Sequence, residues 1–320
     1  MPQAQKPEIL AAAPLPPFTM ADLETRFTVR RLWESLDSAT LARIPAIAAS
    51  TLAGGIGEDL FTRMPALRII ANFGVGYDNI DVAAAVGRGI MVTNTPGVLD
   101  EEVADLAMGL LLATLRRLPQ ADRFVREGRW PQGAFPLSPS LRGRKVGILG
   151  LGGIGKAIAR RLDASLVKVT YHGRTRLAGV PYEYFATPVA LAEACDVLIA
   201  ILPGGAQTRH IVNAEVLAAL GPQGVFINVA RGSVVDQVAL VHALQQGTIL
   251  AAGLDVYEDE PQVPAELMEL DNVVLLPHLG SASLVTRSAM GRLMADNLSA
   301  WFETGRPLTT VAECSHLLPG

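Results

Sequence analysis

The stretch Lys145 to Gly155, KVGILGLGGIG, constrains this chain more than any other. Val146 to Gly150 reads as a short apolar strand, and Gly150, Gly152 and Gly155 stand at the spacing G-x-G-x-x-G. The residues that follow, KAIARRLDA, have helical composition. A strand that turns through glycines into a helix is the phosphate-binding corner of a dinucleotide fold. Gly150 permits the tight turn, Gly152 removes a Cβ that would block a pyrophosphate, and Gly155 lets helix and strand pack closely. The N–H groups from Gly153 through Ile154 to Gly155 then face an anion with the positive end of the helix dipole. A tight strand–helix turn without a ligand gives the same local pattern in a chain with 30 glycines, but the flanking strand and helix favour the dinucleotide.

A length of 320 residues suggests roughly two domains with ample core. Half the residues are apolar and 18% are charged, an ordinary globular composition. The formal charge of −4 argues against a general role on nucleic acid or a membrane surface. Cys195 and Cys314 are the only cysteines, and neither has metal-ligand spacing around it, so no metal site is expected and a reducing compartment suits them. The first residues, MPQAQKPEILAAAPLPPF, lack a basic start followed by an apolar run, and no segment reaches the ~18 apolar residues of a membrane span. A cytoplasmic protein is expected.

Strands are expected within Pro7–Leu15 and at Arg30–Glu34, Ala46–Ser50 and Leu67–Asn72, with helices between them, which predicts a small parallel α/β unit. Gly74, Val75 and Gly76 lie just past the last of these strands, where parallel sheets form ligand crevices. Backbone N–H groups there can hold a small carboxylate, although the local residues favour a plain left-handed turn. MVTNTPGV, Met91 to Val98, reads as punctuation, and Glu101 to Leu118 as a long amphipathic helix. Leu118 to Arg144 looks irregular and contains Trp130 and Phe135; so long a loop is expected to lie against another subunit. Beyond the glycine corner, strands are expected at Val167–Tyr171, Val197–Ile201, Val225–Val229, Leu250–Leu254 and Val273–Leu276, and a helix over Ser283–Glu303. Six strands in this half fit a doubly wound sheet.

The second strand of a dinucleotide fold ends in an acidic residue when NAD is the ligand. Here VKVTYHGRTR offers Arg174, Thr175 and Arg176, roughly 20 residues after the glycine turn, and no Asp or Glu until Glu183. A carboxylate repels a 2′-phosphate, whereas guanidinium and hydroxyl groups hydrogen-bond it. The sequence therefore predicts preference for NADP(H), with NAD(H) accepted weakly at most.

FINVARGSVVD (Phe226–Asp236), GLDVYEDEP (Gly253–Pro261) and LPHLGSAS (Leu276–Ser283) each place polar residues just beyond an apolar strand. Arg231, Glu260 and His278 can thus converge although far apart in the chain. Together with GLGGIG these stretches resemble the D-isomer-specific 2-hydroxyacid dehydrogenase family, most strongly from Val92 to Ser283. TPGVLDEEVAD, GRWPQG and LPGGAQTRHIV resemble the branch containing glyoxylate and hydroxypyruvate reductases.

The resemblance implies an α/β protein of two Rossmann-like or flavodoxin-like domains with doubly wound parallel sheets and the active site in the interdomain cleft. The substrate domain would be discontinuous, 1–98 with 286–320, and the dinucleotide domain would span 99–285. It implies a homodimer, made mostly through the dinucleotide domains. Matched motif by motif, Arg231 binds substrate, Glu260 partners the histidine and His278 donates the proton. Val75 and Gly76 match the backbone clamp for the substrate carboxylate. Leu202 and Pro203 match the strand end beside the adenosine half, with Thr208 on the same loop. Val229, Ala230, Asp255 and Gly280 match further cofactor contacts, Asp255 near the nicotinamide carboxamide.

The chemistry suits these roles. Reduction of a 2-oxo carbon leaves an alkoxide that needs a proton, and imidazole, with an unperturbed pKa of about 6.5, is a fitting donor. An ionised Glu260 beside it stabilises the imidazolium. Arg231 can bind carboxylate and carbonyl oxygens together. His172, His210, His242 and His316 lack such a context and read as structural or solvated. The expected activity is NADPH-dependent reduction of glyoxylate or hydroxypyruvate, with 2-ketogluconate or hydroxyphenylpyruvate as alternative 2-oxo acids. Formate dehydrogenases have glutamine where Glu260 stands. A cofactor-sensing corepressor would share the architecture, although no long basic appendage accompanies it here.

Overall fold

Apolar runs of three to five residues recur along the chain, and most become strands buried on both faces, as parallel sheets flanked by helices require. The computed structural model describes residues 6–318. They divide into two units, one running up to Leu99 and resuming at Ser283, the other Asp100–Ala282. Ser283 caps the helix Leu284–Thr304 by accepting the N–H of Thr286 at 3.1 Å.

The first unit contains β1 (Glu8–Ala11), β2 (Thr28–Arg31), β3 (Ala46–Ser50), β4 (Ile69–Phe73) and β5 (Met91–Thr93), all parallel in the order β2-β1-β3-β4-β5. This is the flavodoxin-like winding. Its core gathers Leu10, Ile47, Ile70 and Val92 from the strands with Phe61 and Met64 from the flanking segments. The helix Leu284–Thr304 returns to pack on β4 and on the helix Pro17–Arg26, where Arg26 Nη1 donates to Asp296 at 2.6 Å.

The second unit contains β6 (Lys145–Leu149), β7 (Lys168–His172), β8 (Glu183–Phe185), β9 (Val197–Ala200), β10 (Val225–Asn228), β11 (Ala251–Leu254) and β12 (Val273–Leu275). They too are all parallel, in the order β12-β11-β10-β9-β6-β7-β8. That is the dinucleotide-binding winding, whose direction reverses between β6 and β9. The glycine corner lies at this reversal.

Four expectations are corrected. The strand read at Arg30–Glu34 is Thr28–Arg31, because its register is set by pairing with β1. Met91–Thr93 is a strand rather than punctuation; it pairs with β4 and the turn residues start only after it. β8 makes the second sheet seven-stranded; its three residues carry too little apolar signal to stand out. Leu118–Arg144 is not structureless: Leu118–Arg126 is a helix and Trp130–Gln132 a 3₁₀ turn. Pro119 is tolerated in the helix's first turn, and Arg126 Nε donates to Asp122 at 2.7 Å one turn back.

Candidate active site

β6 delivers the chain into the glycine corner. Gly150 has φ +100°, which L side chains avoid, and a Cβ on Gly155 would lie 2.1 Å from the Gly150 carbonyl oxygen. The close approach of helix Gly153–Ala164 to β6 therefore needs glycine at position 155. A Cβ on Gly152 would meet no protein atom within 4 Å, so the backbone there is open to a bulky anion. The first helical hydrogen bond runs from Lys156 N–H to Gly152 at 2.9 Å, which leaves the N–H groups of Gly153, Ile154 and Gly155 as the turn's donors. The Asp100 carboxylate packs against Gly153, and burial raises its pKa. These features fit a dinucleotide diphosphate.

Arg174, Thr175 and Arg176 lie exposed past the end of β7. Glu183, the nearest acidic residue downstream, sits on β8 and pairs with Lys168 at 2.9 Å, away from the strand's tip. The tip therefore offers cations and a hydroxyl to a phosphate. Past β9, the Thr208 hydroxyl donates to the Pro203 carbonyl at 2.7 Å and so ties the Leu202–Thr208 loop to itself. Val229 and Ala230 are buried, so any contact they offer a ligand is through the backbone.

At the ends of β10, β11 and β12 the polar residues assemble. His278 Nδ1 lies 2.7 Å from Glu260 Oε2, and Glu260 Oε1 accepts the Tyr257 N–H at 3.0 Å. With the carboxylate as acceptor, the hydrogen-bond network assigns the proton on Nδ1 and leaves Nε2 to face a reactant. Burial pushes the Glu260 carboxyl up, but the hydrogen bond and charge of His278, the Tyr257 N–H and the Arg231 guanidinium outweigh it. The carboxyl rests below its usual value. Arg231 is thus within electrostatic reach of the pair. Its Nη1 donates to the Ala230 carbonyl at 2.8 Å.

Backbone contacts hold this group together. His278 has φ +53°, a left-handed conformation uncommon for a residue with a Cβ. The His278 N–H donates to the Asp255 carbonyl at 2.9 Å, and the Asp255 carboxylate accepts the N–H groups of Leu279 at 2.6 Å and Gly280 at 2.9 Å. Burial raises the Asp255 pKa against these bonds. Asp255 therefore braces the histidine loop, and the Gly280 amide is already engaged. A Cβ on Gly232 would lie 1.8 Å from the Tyr257 carbonyl carbon, so the Arg231 loop and the Glu260 loop touch through a glycine.

In the first unit, Val75 and Gly76 follow β4 as expected. Sequence reasoning passed over three asparagines that shape these loops. Asn72 and Asn94 bond the carbonyls around Val75, and Asn228 donates to the Arg231 carbonyl at 3.0 Å while accepting the Ala230 N–H at 3.1 Å. A lone asparagine in an apolar strand, as in ANF and FIN, was the signal available. The other histidines are structural where partners are seen: His172 Nδ1 is 2.9 Å from the Phe185 carbonyl and His210 Nε2 is 3.0 Å from Glu258. Among the described residues no cluster of His, Cys, Asp and Glu could hold a metal, and no helix is long and apolar enough to cross a membrane.

A seven-stranded dinucleotide sheet with a His–Glu pair and an arginine at its strand ends defines a nicotinamide-type dehydrogenase architecture. Residues 108–280 match the family model for the D-isomer specific 2-hydroxyacid dehydrogenase NAD binding domain. The chain is 45% identical to glyoxylate/hydroxypyruvate reductase A of Arabidopsis thaliana, over 94% of this chain and 97% of that protein. It is 41% identical to hydroxyphenylpyruvate reductase of Plectranthus scutellarioides, over 94% of this chain and 97% of that protein. Among solved structures it resembles the NADPH-dependent glyoxylate/hydroxypyruvate reductase of Sinorhizobium meliloti in complex with NADP and malonate. There the TM-score is 0.92 at 55% identity, covering 97% of this chain and 98% of that one. The chain belongs to the D-isomer specific 2-hydroxyacid dehydrogenase family.

Proposed function

We propose that the protein reduces a small 2-oxo acid, glyoxylate or hydroxypyruvate, to the D-2-hydroxy acid with NADPH as the hydride source. The observation that carries this reading is the 2.7 Å contact between His278 Nδ1 and Glu260 Oε2 at the end of a dinucleotide sheet. When bound, the nicotinamide supplies hydride to the carbonyl carbon. Each remaining step falls to the chain. Arg231 orients the substrate by its carboxylate and polarises the carbonyl. Val75 and Gly76 offer backbone N–H groups to a substrate carboxylate. His278 passes a proton from Nε2 to the forming alkoxide, and ionised Glu260 stabilises the imidazolium before transfer. Gly150, Gly152, Gly153, Ile154 and Gly155 hold the diphosphate, and Arg174 and Thr175 the 2′-phosphate. Leu202, Pro203 and Thr208 flank the adenosine half. Asp255 with Gly280, and the backbone of Val229 and Ala230, border the nicotinamide.

The reading includes a cytoplasmic homodimer. Both cysteines are buried free thiols, and burial pushes Cys195 up to about 12 and raises Cys314, which disfavours the thiolate at each. The relatives support two alternatives, 2-ketogluconate and an aromatic 2-oxo acid such as hydroxyphenylpyruvate.

Steady-state kinetics over glyoxylate, hydroxypyruvate, 2-ketogluconate and hydroxyphenylpyruvate, each with NADPH and NADH, test the reading. Turnover is expected to be best on the two small acids, with NADPH. His278→Ala should lower kcat by about a hundredfold or more while NADPH still binds. Intact NADPH binding with no turnover on any acid would instead mark a nucleotide sensor.

A further inference from the structure

We propose that Asn72 is a positioning residue that, through the Gly74 carbonyl, sets the direction of the carboxylate-binding Val75 N–H in the loop Gly74–Gly76. The proposal rests on the reading above that Val75 and Gly76 take the substrate carboxylate. β4 is apolar except for Asn72, whose side chain is fully buried. Its Nδ2 donates to the Gly74 carbonyl at 3.2 Å and to the Gly76 carbonyl at 2.9 Å. Both neighbours are acceptors, so the nitrogen rather than the oxygen must face them.

A trans peptide is planar, with its C=O and N–H pointing in opposite directions. Drawing the Gly74 oxygen toward Asn72 therefore turns the Val75 N–H away from it. The Thr95 N–H holds that same oxygen at 3.0 Å, and Asn94 Nδ2 holds the Val75 oxygen at 2.9 Å, which fixes the Gly76 N–H in turn. Among the described residues, neither Val75 N–H nor Gly76 N–H donates to a protein acceptor. Two amides are thus locked in direction by bonds made to the far side of their own peptides, and both remain free to bind an anion.

The other end of the Asn72 carboxamide points to function rather than packing. Its Oδ1 is buried without a hydrogen-bond partner among the described residues, which costs stability. An apolar side chain of the same size would remove that orphan but would take the donor from the Gly74 and Gly76 carbonyls. Packing alone does not call for asparagine here; the two bonds of its nitrogen do.

Asn72→Asp keeps the shape and replaces the donor nitrogen with an acceptor, while Asn72→Leu keeps the volume and removes both. The readout is the dissociation constant of oxamate, an unreactive 2-oxo-acid mimic, for protein saturated with NADPH, alongside NADPH affinity, thermal midpoint and KM for hydroxypyruvate. Oxamate binding and KM should weaken about ten- to a hundredfold in both variants. NADPH affinity should stay within about twofold, and the thermal midpoint reports whether each variant is folded. Unchanged oxamate affinity in either folded variant overturns the proposal, as does an oxamate loss matched by an equal NADPH loss. Wild-type protein that binds NADPH but neither reduces 2-oxo acids nor binds oxamate overturns the parent reading, and this proposal with it.

Discussion

Both oxygens of the Glu260 carboxylate are engaged, one by His278 and one by the Tyr257 N–H. Because its pKa is held below the usual value of 4.5, the folded chain binds fewer protons at this position than the unfolded chain between the two values. Stability from this group is therefore fully present above about pH 5 and is lost as the pH falls through the folded pKa. Asp100 and Asp255, whose pKa values are raised by burial, act in the opposite sense. They are common to wild type and Glu260→Gln, so comparing the two proteins removes them to first order. The gap in thermal midpoint between wild type and Glu260→Gln should narrow steadily from about pH 6 to about pH 3. A gap independent of pH would show that the carboxylate's charge contributes nothing. At neutral pH the same variant should lose most of its kcat, since an amide cannot stabilise the imidazolium. At this scale the sequence pointed to Arg231, Glu260 and His278, because each stands just past an apolar strand, and the structure brings His278 and Glu260 into contact. It hid Asn72 and Asn228, whose roles lie in bonds to backbone carbonyls that only the folded loop brings near.

Between β10 and β11 the loops after the strands meet at Gly232. A Cβ there would fall 1.8 Å from the Tyr257 carbonyl carbon and 1.9 Å from its oxygen. These are backbone atoms and cannot rotate aside, so Gly232→Ala must push the Arg231 loop off the Glu260 loop. The expected cost is about 1–3 kcal/mol of stability by chemical denaturation. A displacement near 1 Å should also lower kcat/KM by about a hundredfold. Wild-type stability and kinetics in this variant would mean the two loops are not coupled. Elements were legible where burial on both faces makes a continuous apolar run, as in VGILG, VLIA and VFIN. β5 and β8 escaped because each has only three residues, and β5 runs straight into turn residues. The helix Leu118–Arg126 escaped for a different reason: none of its residues is buried within the chain, so its pattern answers to no core of its own.

That helix and the segment after it bear on how the whole molecule assembles. Trp130 is 67% exposed and Leu137 101% exposed, and Leu118 and Val125 are more than half exposed on the same stretch. An apolar surface of this kind on one segment is what an interface offers. The occupant the family reading implies is a second copy of the chain. In a twofold assembly each contact occurs twice, so one substitution acts at two places. Burying a leucine side chain contributes about 1.5–3 kcal/mol, so losing it twice weakens the dimer by at least about a hundredfold. A charge in its place adds desolvation cost on both sides. Wild-type protein should therefore run by light scattering at twice the chain mass of 33.9 kDa. Leu137→Glu should shift the population toward single chains at micromolar concentration, while NADPH affinity is retained because the glycine corner is untouched. A wild-type single chain, or a Leu137→Glu dimer as tight as wild type, would remove this segment from the interface.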